Sequence, residues 1–208
     1  MDSRSDFMLT AENYYSLEAN RRFMSVSQYK DFIECEAMAM AKLSGWEEPK
    51  TDALLVGSYV HSYFEGPQTF ERFKAENPDI YSSRGQTKGE LKAQYKVADT
   101  MIAALENDEF CMFALEGEQE VIMTAEMYGA DWKIKIDRYA PDAGRFVDVK
   151  AVKSIRDKVW DAKYGYVSFV EAYGYVLQMA VYCEVERRNA GRSEWLEPLL
   201  VAVSKEDP

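Results

Sequence analysis

The spacing of hydrophobic positions changes period once along the chain, near residue 118. Before that point apolar residues recur every three or four positions, as they do on one face of a helix. Phe32, Ile33, Ala37, Met40 and Ala41, behind Ser25 or Ser27 as a cap and ahead of Gly45, predict a helix over 25–44. Further helices are predicted over 52–65, 68–76 and 87–107, with the polar stretch NPDIYSSRGQT as a loop before the last of them. From 118 onward EQEVIMTAEMY, DWKIKIDRY and RFVDVKAV alternate apolar with polar residues, the mark of half-buried strands, and YGAD and APDAG between them are turn sequences. Residues 168–190 return to helical spacing, and LEPLLVAVS reads as a last strand. The pattern predicts a single α/β or α+β domain over 1–208: a mainly helical part over 1–110, then a core over 115–208 built on one mixed sheet.

Composition supports an ordered globular chain with one sizeable core, since 47% of the 208 residues are hydrophobic and 14 Tyr, 10 Phe and 4 Trp are present. No apolar run approaches the roughly 18 residues of a membrane helix, so no membrane partner is expected. The start MDSRSDFMLT lacks the basic and apolar segments of a secretory signal, which points to a cytoplasmic protein. Cys35, Cys111 and Cys183 are widely spaced with no CxxC pair, so buried thiols are expected rather than disulfides or a zinc site.

Charge changes the picture more. A net charge of -11 argues against a polyanionic partner. Between Lys133 and Lys163, however, nine basic residues face five acidic ones, which makes that window +4 and leaves -15 for the rest. Such a window fits either a site that holds a polyanion or an ordinary solvated surface.

Strand parity sharpens the question. In DWKIKIDRY, Ile134 and Ile136 share one face while Lys133, Lys135 and Asp137 share the other. In RFVDVKAV, Val147, Val149 and Ala151 share one face, and Asp148 and Lys150 lie on the opposite one. A turn over 140–144 brings Asp137 near Asp148 across the ladder. Two carboxylates held close repel unless a cation sits between them, and hard oxygen donors suit Mg²⁺ or Mn²⁺. Lys150 can then stabilise charge on a phosphoryl oxygen, or simply form an ion pair with Asp137 or Asp148. The single histidine, His61, lies on a helix with Glu65 one turn later, and Gln178 and Tyr182 present an amide and a phenol on one face of another. Each also has a plain structural reading as a satisfied hydrogen-bonding group.

Taken together, Gly57 to His61, Asp137, ten residues, Asp148-Val149-Lys150, and Gln178 to Tyr182 resemble the motif series of PD-(D/E)xK nucleases, in particular the RecB-like and RecE-like branch. ENYYSLEANRRFMSVSQYKDFIECEAMAMAKLSG and LLVGSYVHSYFEG also resemble phage-type exodeoxyribonuclease VIII-like proteins. The resemblance implies a restriction-endonuclease-like core, a mixed sheet flanked by helices, and Mg²⁺-dependent (or Mn²⁺-dependent) hydrolysis of DNA. It implies an exonuclease working on double-stranded DNA ends in phage-type recombination, beside a single-strand annealing protein, and assembly into a homo-oligomeric ring. A non-catalytic DNA-binding or recombination scaffold with the same fold is the alternative.

By the same resemblance Asp137 and Asp148 are metal ligands joined by the carbonyl of Val149, with His61 completing or adjoining the shell. Lys150 orients or activates the attacking water. Gln178 and Tyr182 position the DNA backbone or the active-site lysine, and Lys153 joins them as a DNA-binding or supporting residue. A further acid is expected from among Glu65, Glu118 and Glu120. Some relatives hold an iron-sulfur cluster through one early and three late cysteines. Only Cys35 stands where such a ligand would lie, so no cluster is expected of this chain, or else it is truncated at its C-terminus.

Overall fold

The computed structural model of the protein describes residues 7–49 and 51–206. Among the described residues seven α-helices come first: α1 (Leu17–Arg22), α2 (Val26–Glu34), α3 (Glu36–Leu43), α4 (Asp52–Phe64), α5 (Pro67–Glu76), α6 (Ala93–Glu106) and α7 (Glu109–Ala114). Strands β1 (Glu118–Met127), β2 (Ala130–Ala140) and β3 (Arg145–Val152) follow as antiparallel neighbours. A short hairpin, β4 (Val159–Asp161) and β5 (Gly165–Val167), leads into α8 (Phe169–Ala172) and α9 (Tyr175–Asn189). The last strand, β6 (Glu197–Ser204), returns beside β3 in parallel, so the main sheet has the order β1-β2-β3-β6 and is mixed, as expected.

Both faces of this sheet are buried. On β3, Val147 and Val149 point into a core with Val201 and Val203 of β6, Val56 and Val60 of α4, and Met101 and Ile102 of α6. Phe146, of the opposite parity, joins Ile134 and Ile136 of β2 in a second core against Val181 and Val185 of α9. Each such side chain contributes roughly 1.5–3 kcal/mol on burial. The same alternation delivers Asp148 and Lys150 to the α9 side.

Four expectations about elements change. The helix predicted over 25–44 is two, because the chain is extended at Cys35 (φ -159°, ψ 104°) and α3 folds back until Lys42 meets Asp31 at 2.9 Å. The helix predicted over 87–107 begins at Ala93, since the preceding residues bond in a local turn instead, with the Ser82 N–H donating to Glu90 O at 2.8 Å. Residues 168–190 divide at Gly174, whose φ of 64° suits glycine and ends α8. The hairpin β4–β5, along with α1 and α7, has no counterpart in the periodicity. No helix among the described residues is long and apolar enough to cross a membrane.

One irregularity of the sheet positions the site. β2 and β3 share only the pairs Arg138↔Val147, Tyr139↔Phe146 and Ala140↔Arg145, then separate. At its other end that same edge of β2 is taken by Met24, which donates to Asp131 O at 2.7 Å and accepts from the Lys133 N–H at 2.9 Å. Between these anchors β2 faces a gap.

Candidate active site

Asp137 stands at the gap and turns its carboxylate across it. Its Oδ2 accepts the Val149 N–H at 2.7 Å, so a side chain takes the place of a ladder carbonyl at the point where the strands part. Its Oδ1 lies 3.0 Å from Nε2 of His61, which α4 delivers from the opposite layer. Nδ1 of the same ring meets Glu65 Oε1 at 2.8 Å. Burial opposes a charge on this imidazole, but Asp137, Glu65 and Glu120 outweigh it and raise its pKa to about 10. Burial likewise opposes charge on Asp137, yet His61, Lys150 and the Val149 N–H hold it below the ordinary carboxylate range.

Asp148 is buried one pleat before Lys150. Its Oδ1 accepts from the Gln178 side-chain amide at 2.7 Å, and its Oδ2 lies 2.7 Å from Lys150 Nζ as an ion pair without a directed hydrogen bond. Burial pushes this carboxyl up to about 6; Lys150 opposes that shift and Asp137 adds to it. Burial would lower Lys150, but the two aspartates hold its pKa above the ordinary lysine value, so it is an ammonium donor and not a base. Its Nζ also stands 5.3 Å from the centre of the Tyr175 ring.

Glu120 completes the group in an unusual way. Its φ of 54° is left-handed, rare for a residue with a side chain, and it interrupts the β1–β2 ladder between Gln119↔Arg138 and Val121↔Ile136. The carboxylate meets Lys135 through Oε2, while Oε1 is buried and accepts nothing. His61, Glu120 and Asp137 each offer a ligand atom, and these atoms lie within 4.8 Å of one another. Glu120 Oε1 is thus a buried carboxylate oxygen without a hydrogen bond, a costly state that a cation relieves, while Asp148 Oδ2 is met only by the Lys150 ammonium. Carboxylate oxygens with one imidazole form a donor set that fits a divalent metal.

The structure therefore brings together Asp137, Asp148, Val149, Lys150, His61, Glu65 and Gln178. The three candidate acids separate: Glu120 lies in the group, Glu65 stands behind His61, and Glu118 is exposed at the start of β1. Gln178 gives its side-chain amide hydrogen bond to Asp148 and not to the lysine. Tyr182 lines the cleft beside it, tilted against Phe146 at 6.3 Å between ring centres. Lys153 is exposed beyond the end of β3, outside the cleft lining.

Two clefts meet here, sharing Tyr15, His61, Lys135 and Lys150. The smaller, of about 440 Å³, is also lined by Tyr14, Lys30 and Lys133, and the larger, of about 1130 Å³, by Glu65, Arg72 and Glu120. Several basic residues of the 133–163 window thus point inward and do not form a surface: Lys133 bonds to Asn20 Oδ1 at 2.7 Å, and Arg138 to Leu115 O at 2.8 Å. No sequence pattern marks Tyr14, Tyr15 or Lys30 as cleft residues. The tyrosines come from an irregular turn, and Lys30 lies on α2 without a motif.

A mixed sheet covered by helices, with acids from neighbouring strands and a lysine two residues beyond one of them, defines a PD-(D/E)xK domain with a restriction-endonuclease-like core. Residues 25–208 match the family described as a PDDEXK-like domain of unknown function (DUF3799), and the chain belongs to it. It is also similar to a chain from Eubacterium rectale whose crystal structure is described as that of a "putative exonuclease", with 46% identity and a TM-score of 0.88. That similarity covers 97% of this chain and 75% of the other. No curated protein matches the chain. Family, neighbour and site together support a nuclease, a hydrolase of phosphodiester bonds.

Proposed function

We propose that the protein is a Mg²⁺-dependent deoxyribonuclease of the RecB/RecE-like branch that cuts double-stranded DNA from its ends, in a recombination pathway of phage type. The observation that carries the reading is the convergence of Asp137, Asp148, Glu120 and His61 beside Lys150, with the buried Glu120 Oε1 left without a partner. Exonucleolytic action is supported by the description of the Eubacterium rectale relative and by the motif series.

Asp137, Asp148 and Glu120 would hold the cation through their carboxylates, and His61 through Nε2. When bound, Mg²⁺ or Mn²⁺ supplies Lewis acidity and charge neutralisation at the scissile phosphate. Glu65 accepts from Nδ1 and so turns Nε2 toward the carboxylates, while Gln178 fixes the plane of Asp148. The Lys150 ammonium orients the attacking water and donates to the phosphoryl oxygens as their negative charge grows. Because the site holds these groups before substrate arrives, little reorganisation is needed at the moment of attack.

The test is incubation with linear duplex DNA in Mg²⁺, with and without EDTA, followed on a gel. Shortening that depends on the metal and on a free end is expected. A shift of the DNA band without any shortening would mark a binding scaffold and overturn the assignment.

A further inference from the structure

The hairpin β4–β5 takes no part in the site, yet the site brackets it in sequence. Lys150 lies ahead of it on β3, and Gln178 lies beyond it on α9. Its pairs are Val159↔Val167, Trp160↔Tyr166 and Asp161↔Gly165. Directly paired residues share a face, so the hairpin is two-sided. Val167 packs inward at 8% exposure, whereas Trp160 at 65% and Tyr166 at 72% face outward, with Tyr164 at 69% on the turn. The two outward rings meet edge to face with centres 5.2 Å apart.

The turn itself is held firmly. Asp161 Oδ1 accepts the N–H groups of both Lys163 and Tyr164 at 2.8 Å. The rings are therefore displayed on a fixed support. Charge around them leans positive although the whole chain is acidic: Lys153, Arg156, Lys158 and Lys163 are all exposed, against Asp157, the turn-bound Asp161 and Glu171, which lies near Lys158 and caps α8 through Ser168. Lys163 Nζ lies 4.7 Å from the centre of the Tyr164 ring. The chain leads from this hairpin straight to the site. β5 runs into α8, after which come Tyr173 and Tyr175, 6.0 Å apart, and the Tyr175 ring lies beneath Lys150.

We infer that the outer face of this hairpin is a stacking platform for unpaired nucleotides of a single strand, next to the cutting site. Exposed rings interleaved with lysine and arginine match the two faces of such a strand, its flat bases and its phosphates. A duplex would offer only phosphates along its length and leave the rings without partners. The assignment rests on the nuclease reading for its biological setting, because an end-cutting enzyme on duplex DNA produces a single strand as it advances.

The experiment measures binding of a fluorescent 15-nucleotide oligothymidylate and of a 15-base-pair duplex by anisotropy, in EDTA at fixed ionic strength. It compares wild-type protein with Trp160→Ala/Tyr166→Ala and with Trp160→Phe/Tyr166→Phe. The double alanine variant should lose at least tenfold in affinity for the single strand and less than twofold for the duplex, and the double phenylalanine variant should keep most of it. No binding of oligothymidylate by the wild type, equal losses on both probes, or equal losses in both variants would each overturn the platform. Cleavage of linear duplex in Mg²⁺ is read separately. Cleavage by the wild type with unchanged strand binding by the double alanine variant removes the platform and leaves the nuclease. The expected binding losses without any cleavage remove the nuclease and leave the platform.

Discussion

Glu65 Oε1 lies 2.8 Å from Nδ1 of His61, and this contact turns the other ring nitrogen toward Asp137, 3.0 Å away. A carboxylate behind a ligating imidazole fixes its tautomer and orientation. Glu65→Ala should therefore weaken Mn²⁺ binding by about 10- to 100-fold although Glu65 itself touches no metal. Titration calorimetry would show this; an unchanged affinity would reduce the contact to helix decoration.

His61 is held protonated in the cation-free protein, with its pKa raised to about 10 from an ordinary 6.5. A divalent ion must displace that proton to reach Nε2. Because the folded value is raised, metal affinity should climb with pH up to about 10, approaching tenfold per unit above neutrality. Calorimetry at pH 7 in two buffers of different ionisation enthalpy should register about one proton released per ion bound. Release of none would place His61 outside the shell.

Lys150 and Asp148 form a pair in which the two members have different tasks. Replacing the lysine by methionine keeps volume and removes the ammonium. Lys150→Met should lower cleavage by about 10²- to 10³-fold, the scale of losing one donor to a developing oxyanion. Mn²⁺ affinity should stay within about tenfold of wild type. Loss of metal binding and cleavage in parallel would instead make the residue a prop for Asp148.

Gln178 supplies the directed hydrogen bond that Asp148 accepts on Oδ1, at 2.7 Å. Gln178→Ala leaves a buried carboxylate oxygen unpaired and should cost about 1–3 kcal/mol. For a chain of this size that is roughly 2–4 °C in Tm per kcal/mol. Thermal unfolding in EDTA gives the measurement, and an unshifted Tm would show that water replaces the amide.

The parts of this structure visible in the sequence are those set by local periodicity. Alternation in DWKIKIDRY and RFVDVKAV gave the strands, but the ladder that would set Asp137 opposite Asp148 ends at Arg138↔Val147, and Asp137 reaches the Val149 N–H across the gap beyond it. The choice among Glu65, Glu118 and Glu120 was not visible, because it depends on a left-handed backbone at Glu120 that no side-chain pattern encodes. The break at Cys35 falls in IECEA, which has neither Gly nor Pro, and is imposed by packing between helices. Strands of three residues, as in β4 and β5, are too short for an alternation to register.

The parting of β2 from β3 has a price in sheet cohesion. Beyond Val147 the main-chain N–H of Val149 is taken by Asp137 and not by a neighbouring strand. Fold strength and chemistry thus compete for one set of backbone valences. Any substitution that let the two strands zip further would make a sturdier molecule and take from Asp137 the opening in which its carboxylate meets His61 and Val149.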